Sequence, residues 1–233
     1  MPIFPARKRE YVVVSVGGSL FVPGDIDTEF LTTFRRTILS LVEKGFSFAI
    51  VTGGGKTARK YQAAGVEVAN LSTLERDWVG IYVNNMHAEF FRIIFGKDAA
   101  LSIVTDFSAH IPHSHPVVLV GAEAPGHSSD FDAVMVAKKL GAKKVINLSN
   151  IDYVYTADPK VDPNAQIIEK ISWSEFRNII PKTWEAGLSS PFDPLAAEEA
   201  EKLHLEVAII NGKKLDEFEH YLNEESFIGS VIS

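Results

Sequence analysis

The sequence contains no cysteine, which excludes disulfide bonds and thiolate chemistry. It also lacks an excess of positive charge: 23 lysines and arginines stand against 30 aspartates and glutamates, for a net charge of -7. No apolar run approaches the roughly 20 residues that a membrane-spanning helix needs. These absences favour a cytoplasmic protein that binds neither nucleic acid nor a membrane surface.

Apolar runs alternate with helical patterns along the 233 residues, without an internal repeat or a flexible linker. Strands are predicted at 11–16, 46–51, 101–104, 117–120, 144–148 and 206–210. Helices are predicted at 27–44, 56–64, 74–95, 130–140 and 194–204, and residues 150–164 are predicted to form a loop. Repeated strand–helix–strand units predict an α/β fold with a mostly parallel central sheet and helices on both faces.

Three consecutive glycines in VTGGGKTARK, residues 51–60, follow a predicted strand and lead directly into a predicted helix. A P-loop would need a glycine at Ile50, and a dinucleotide fingerprint would need a third glycine at Lys56 or Ala58, so both motifs are excluded. The loop amides and the helix N-terminus would suit an anion, to which Lys56 and Arg59 would add positive charge. The alternative is a plain strand–helix turn with two surface cations.

The stretch GAEAPGHSSD, residues 121–130, also joins a predicted strand to a predicted helix. One cap needs one hydroxyl or carboxyl side chain, whereas His127, Ser128 and Ser129 offer several donors at this helix start. Capping alone is the alternative interpretation. Loops of this kind at the carboxyl ends of parallel strands form the usual ligand crevice of an open α/β sheet.

A third stretch, LSNIDYVYTADPKVDPNAQ, spans residues 148–166 and follows the strand predicted at 144–148. Its Tyr155 ring could lie against a nucleotide base, and the carboxylates of Asp152 and Asp158 could bind a ribose or a metal-bound water. A solvated turn loop built on its two Asp-Pro pairs explains the same residues equally well.

Five motifs in a fixed order resemble the archaeal type of uridylate (UMP) kinase, within the amino acid kinase superfamily. They are VGGS (16–19), GGGKTARKY (53–61), PGHSSD (125–130), VYTADPKVDPNAQ (154–166) and FDPLAA (192–197). The resemblance runs from about Tyr11 to Ile232 and implies one domain over 1–233, folded as a three-layer αβα sandwich. It further implies transfer of the γ-phosphoryl group of ATP to UMP, Mg²⁺ carried with ATP, and a hexamer built as a trimer of dimers. The acceptor would lie toward 1–145 and ATP toward 146–233.

The resemblance assigns a role to each matching residue. Those implied to be catalytic are Gly17, Gly18, Lys56, Arg59 and Asp130. Those implied to contact ATP are Gly17, Gly18, Ser19, Gly55, Arg59, Ser149, Asn150, Tyr155 and Asp158. Those implied to contact UMP are Gly54, Asp77, Glu123, Ala124, Pro125, Gly126, His127, Ser128 and Ser129. No protein residue is implied to be a metal ligand.

The chain departs from the family pattern at three positions. Ser15 stands where many members have a lysine, Glu123 stands where threonine is common, and Tyr153 replaces a glycine in the loop predicted to hold ATP. A tyrosine there either is strained at positive φ or lets the loop relax to negative φ, and we expect relaxation. These departures leave two alternatives open: another acceptor such as isopentenyl phosphate, or a protein that binds or stores metal oxoanions.

Three histidines lie close together in HIPHSHP, residues 110–116. Clustered histidines can bind zinc. The flanking prolines and the lack of a nearby cysteine, aspartate or glutamate within the stretch favour an ordinary solvent-exposed loop at His110, His113 and His115.

Overall fold

The computed structural model describes residues 9–183 and 190–233. Its strands are β1 (Val12–Val16), β2 (Phe48–Thr52), β3 (Val117–Val120), β4 (Lys144–Ser149), β5 (Val154–Tyr155), β6 (Ile167–Ile168), β7 (Lys170–Ile171), β8 (Glu206–Asn211) and β9 (Ser230–Ile232). Its helices are α1 (Gly18–Phe21), α2 (Thr28–Glu43), α3 (Gly55–Ala69), α4 (Thr73–Phe95), α5 (Ser129–Leu140), α6 (Trp173–Ile179), α7 (Pro194–Lys202) and α8 (Leu215–Leu222), with a 3₁₀ turn at Gly96–Asp98.

The central sheet has seven strands in the order β3-β2-β1-β4-β8-β9-β7. The strands from β3 to β8 in this order are parallel, β9 is antiparallel to β8, and β7 is parallel to β9. Strands β5 and β6 form a separate antiparallel pair. The mostly parallel α/β architecture predicted from the sequence is therefore confirmed, and the carboxyl ends of its parallel strands meet at one edge.

The sheet lies between two buried hydrophobic clusters, one on each face. Helices α5, α6 and α7 cover one face, and helices α1, α2, α4 and α8 cover the other. Within β1 alone, Val13 belongs to the first cluster, whereas Val14 and Val16 belong to the second. Alternation along a strand thus fills both clusters with β-branched side chains, and the result is the predicted three-layer αβα sandwich.

Side-chain caps fix where several helices begin. Asp27 accepts a hydrogen bond from the Phe30 amide at the start of α2, and Ser72 and Glu75 form a reciprocal capping box on α4. Asp193 caps α7, which has a proline in its first turn. No helix of the described residues is long and apolar enough to cross a membrane.

Two predictions about the elements are wrong, and two helices were missed. Residues 101–104 form no continuous strand, because the chain touches β3 only through isolated bridges at Ala99 and Val104 and turns Leu101 outward between them. The predicted loop at 150–164 contains β5. Helices α6 and α8 were not predicted, although the Ser172–Glu175 capping box marks the start of α6.

Candidate active site

A cavity of about 300 Å³ opens at the carboxyl edge of the sheet. Residues that follow β1, β2 and β3 line it, together with the carboxyl end of β4, residues of α3 and α4, and the start of α7. Helices α1, α3 and α5 all begin at this cavity, at Gly18, Gly55 and Ser129. Unpaired amides and the positive ends of helix dipoles favour an anion at such a place.

The glycine loops after β1 and β2 pack directly on each other. The Gly53 amide donates to the Val16 carbonyl at 3.0 Å, and the Gly17 amide donates to the Leu148 carbonyl at 3.0 Å. A side chain at Gly18 would lie 2.5 Å from both the Gly53 oxygen and the Gly55 nitrogen. Part of the need for glycine therefore comes from the neighbouring backbone rather than from a ligand.

The side chain of His87 contacts the glycine loop that follows β2. It is 4% exposed, and its Nδ1 lies 3.0 Å from the Gly53 carbonyl oxygen. Burial lowers the pKa of His87, which favours the neutral ring with the Nδ1 proton donated to that carbonyl. The ring also packs edge-on against Phe21 at 4.9 Å. A buried histidine of α4 thus fixes the loop that opens α3.

Asp130 is held by side chains from two strands. The Ser15 hydroxyl donates to its Oδ1 at 3.1 Å, and the Asn147 amide donates to the same atom at 3.2 Å. Burial of the carboxyl and the nearby Asp193 raise the pKa of Asp130 to about 7. Ser15 therefore orients this carboxyl group.

The loop from β3 to α5 forms another wall. The Gly126 amide donates to Asp77 Oδ2 at 3.2 Å, which ties the loop to α4, and partial burial raises the pKa of Asp77. Glu123 points away from the cavity, because its Oε1 accepts the Phe107 amide at 2.9 Å. Glu123 thus serves a structural contact.

The structure brings most of the predicted site residues together. Those that line the cavity are Gly17, Gly18, Ser19, Gly54, Gly55, Arg59, Asp77, Pro125, His127, Ser128, Ser129, Asp130 and Ser149. Those that lie outside its lining are Lys56, Glu123, Ala124, Gly126, Asn150, Tyr155 and Asp158. Lys56 is exposed on the first turn of α3, and Asp158 is exposed in the loop before β6.

The loop after β4 forms exposed turns at its two Asp-Pro pairs, as the turn-loop alternative expects, but Asp152 near its start is paired. Asp152 accepts a hydrogen bond from Asn211 at 2.8 Å and pairs with Lys214 at 2.9 Å, and these contacts lower its pKa. In the described residues, non-glycine positive φ occurs at Asn70, His204 and Glu224. Tyr153 consequently has the relaxed, negative φ that we expected.

Sequence reasoning missed several residues of the cavity wall. They are Gly53, Ala58, Gln62, Gly80, Ile81, Asn84, Ala122, Asn147, Ser190, Pro191 and Asp193. Asp193 lies in FDPLAA, which carried part of the resemblance without a role. The α4 residues carried no separate signal, since they reach the cavity only through packing of α4 beside α3.

The histidine-rich loop packs against Tyr11, just before β1, while His110 is exposed as predicted and His113 and His115 are half-buried. The Tyr11 hydroxyl is within hydrogen-bond distance of the carbonyl oxygens of Pro112 and His115, at 3.1 and 2.7 Å, and Ile111 is buried. The rings of Tyr11 and His113 lie 5.3 Å apart. Across the described ranges, no group of three or more histidine, aspartate or glutamate residues is arranged to hold a metal ion.

Fold and cavity together are typical of an α/β protein that binds phosphorylated ligands at the carboxyl edge of its sheet. Comparison with known proteins identifies the family. The sequence model of the amino acid kinase family matches residues 10–211. The chain belongs to the amino acid kinase family.

Similar proteins within that family are uridylate kinases. The uridylate kinase of Pyrococcus abyssi is 36% identical over 209 residues, which cover 87% of this chain and 90% of the relative. That of Sulfolobus acidocaldarius is 30% identical over 226 residues, covering 95% and 98%. The crystal structure of uridylate kinase from Archaeoglobus fulgidus superposes with a TM-score of 0.81 at 29% identity and covers 96% of this chain and 100% of that one.

Proposed function

We propose that the protein is a uridylate kinase that transfers the γ-phosphoryl group of ATP to UMP, giving UDP and ADP. The observation that carries this proposal is the cavity at which three helices begin between two glycine loops. It occurs in a chain that is similar to uridylate kinases over most of its length. Such a cavity could hold the γ-phosphate of ATP next to the phosphate of UMP.

Phosphoryl transfer mainly requires alignment of the reacting oxygens and neutralisation of charge on the phosphoryl oxygens. Amides of Gly17, Gly18, Gly54 and Gly55 would bind those oxygens. Arg59, one helical turn after Gly55, would add positive charge, and exposed Lys56 would reach in from the same helix.

Asp130 is proposed to orient the cationic partners of the phosphates. Its position is set by Ser15 and Asn147, so its carboxyl group faces the region between the two glycine loops and the start of α5. No proton needs to be removed from the attacking phosphate oxygen, which is already ionised at neutral pH. The role of Asp130 is therefore electrostatic and positional.

Mg²⁺ is proposed to enter with ATP. Magnesium is commonly held by substrate phosphates and water, with few protein ligands. The cavity lining offers backbone amides and hydroxyl groups to the phosphates, so the proposed ion would be held mainly by the nucleotide. When bound, the ion supplies charge neutralisation to the β- and γ-phosphates.

We assign the wall formed by Asp77 and the loop at 121–128 to the phosphate and ribose of UMP, and call it the acceptor side. ATP would approach from the loop after β4, with Ser149 lining the cavity and Asn150, Tyr155 and Asp158 farther out. This division treats 1–233 as one domain with the acceptor toward its N-terminal part. The reaction is proposed to occur in the cytoplasm, where ATP and UMP are used.

A homo-oligomer, the hexamer built as a trimer of dimers that the resemblance implies, is proposed, and an apolar face on α4 supports association of copies. The members of this face recur every three or four residues and are exposed by 37% to 68%: Trp78, Tyr82, Met86, Phe90 and Ile93. The Trp78 and Tyr82 rings lie 6.1 Å apart along this face. A second copy of the chain would cover these side chains.

The test is product analysis with ATP, Mg²⁺ and a panel of acceptors. We expect UDP from UMP, with slower reaction of CMP and dTMP. Preferred phosphorylation of isopentenyl phosphate would assign a different acceptor. ATP binding with tight retention of molybdate or tungstate, and no phosphorylated product, would instead indicate oxoanion storage.

A further inference from the structure

Two residues at the acceptor side, His127 and Asp132, face each other without a hydrogen bond. Nδ1 of His127 lies 3.5 Å from Oδ1 of Asp132. Within the part of the chain that the structure describes, both atoms are buried and neither has a hydrogen-bond partner. Asp132 is 1% exposed, whereas His127 lines the cavity. A buried carboxyl group left in this state is costly, so the arrangement calls for a function.

Helix α5 sets this geometry. Ser128 caps the helix by accepting the Asp130 amide, and Asp132 lies in the first turn. His127 precedes the cap, and its ring packs on Phe131 with centroids 4.7 Å apart. Nδ1 is turned toward Asp132 and His127 lines the cavity, so Nε2 is the ring nitrogen left for a ligand.

Carboxyl groups from several elements surround the pair. Glu123 of the loop after β3, Asp130 of α5 and Asp193 at the start of α7 face Asp132, while Asp77 of α4 and Asp193 face His127. Burial, reinforced by Glu123, Asp130 and Asp193, raises the pKa of Asp132 well above its usual value. The free protein therefore favours a protonated Asp132.

We propose that His127 and Asp132 share one proton and together recognise the dianionic phosphate of the acceptor, with Asp132 as the positioning residue. When phosphate enters, the proton passes from Asp132 to Nδ1 of His127: an O–H bond breaks, an N–H bond forms, and the pair stays neutral. The imidazolium donates from Nε2 to phosphate, and the new carboxylate holds the ring through Nδ1. This inference rests on the proposed function, since the phosphate is that of UMP.

Binding of UMP to Asp132→Asn tests the pair, because asparagine keeps the shape but can neither give the proton nor carry the charge. Calorimetry at pH 8 is expected to show UMP bound about tenfold more weakly, with binding of ATP and of uridine, which lacks the phosphate, unchanged. The matched control is Asp216→Asn, an exposed aspartate in the first turn of α8. Equal UMP affinity in the native chain and Asp132→Asn would overturn the proposal.

A double-mutant cycle with His127→Gln asks whether Asp132 acts through the histidine. In the His127→Gln background, Asp132→Asn is expected to cause no further loss of UMP affinity. Losses that multiply would show that Asp132 acts independently of His127, which contradicts the pair.

NMR of the native chain with ¹⁵N-labelled histidine separates this inference from the kinase assignment. On addition of UMP or inorganic phosphate at pH 8, both ring nitrogens of His127 are expected to become protonated. Protonation of His127 without UDP formation would contradict the kinase assignment and support the proposed His127–Asp132 pair. UDP formation with a His127 ring that stays neutral in the UMP complex would contradict the proposed pair and support the kinase assignment. Because this measurement uses the native chain, it tests the His127–Asp132 pair even if Asp132→Asn fails to fold.

Discussion

Arg59 is the side chain through which we expect the cavity to neutralise phosphate charge. It lies four residues after Gly55, so it can reach back to an anion at the start of α3. We predict that Arg59→Ala lowers turnover at least about tenfold, equivalent to about 1.4 kcal/mol in the barrier. Steady-state kinetics with Lys60→Ala as control, an exposed cation of the same helix outside the cavity, measure the effect. Equal losses in both variants would make Arg59 an ordinary surface cation.

Asp130 gives the protein a pH-dependent stability term. Its pKa is raised from 3.8 to about 7, so between these values the unfolded chain is ionised while the folded chain keeps the proton. The stability that Asp130 contributes is therefore present below pH 3.8 and is lost as pH rises through 7.

Asp130→Asn removes that titration. We expect the unfolding free energy of the variant, measured by urea denaturation, to rise by at least about 1 kcal/mol relative to that of the native chain between pH 4 and pH 8. One pKa unit corresponds to about 1.4 kcal/mol. A difference in unfolding free energy that stays constant across this range would contradict the raised pKa.

Side chains next to diagnostic glycines could be predicted from the sequence, whereas those brought in by packing could not. Arg59 and His127 belong to motifs with local meaning. Asp193 and Asn84 come from other elements, and so does the buried His87. Its contact with the Gly53 carbonyl depends on how α4 lies against β2, which no local pattern encodes.

At the scale of elements, periodicity located the long helices and the central parallel strands because their buried faces are continuous. Helix α3 was predicted to end at 64, before Gly65, yet it continues to Ala69 and ends at Asn70 in the left-handed conformation. Gly65 remains helical and leaves room for Leu71, whose Cδ1 would lie 2.3 Å from an added Cβ. Short elements such as α8 depend on tertiary packing and gave no clear local signal.

The two glycine loops form one packed unit, so Gly18→Ala should disturb both. Its new Cβ would meet backbone atoms of Gly53 and Gly55 at 2.5 Å, which cannot move as a side chain would. We predict a loss of about 1–3 kcal/mol in unfolding free energy, together with weaker ATP binding. Gly24→Ala is the control, because nothing in the described residues lies within 4 Å of its added Cβ. Urea denaturation and calorimetry that fail to separate the two variants would contradict this packing.

At the scale of the whole molecule, the apolar face of α4 predicts association of copies. Tyr82→Glu places a charge in the middle of that face, where Tyr82 is 68% exposed. Sedimentation velocity should show a smaller species for this variant than for the native chain. Leu101→Glu, at a residue 85% exposed outside α4, should leave the native size unchanged. A native chain that sediments as a monomer would refute the proposed oligomer.

The central claim is that the cavity joins ATP and UMP for direct phosphoryl transfer. The most direct measurement follows the label from [γ-³²P]ATP in a quenched single turnover with Mg²⁺ and UMP. The account predicts label in the β-phosphate of UDP, formed in a one-to-one ratio with ADP and slowed in Arg59→Ala. Release of label as inorganic phosphate, or unreacted ATP in a folded protein that binds both nucleotides, would contradict it.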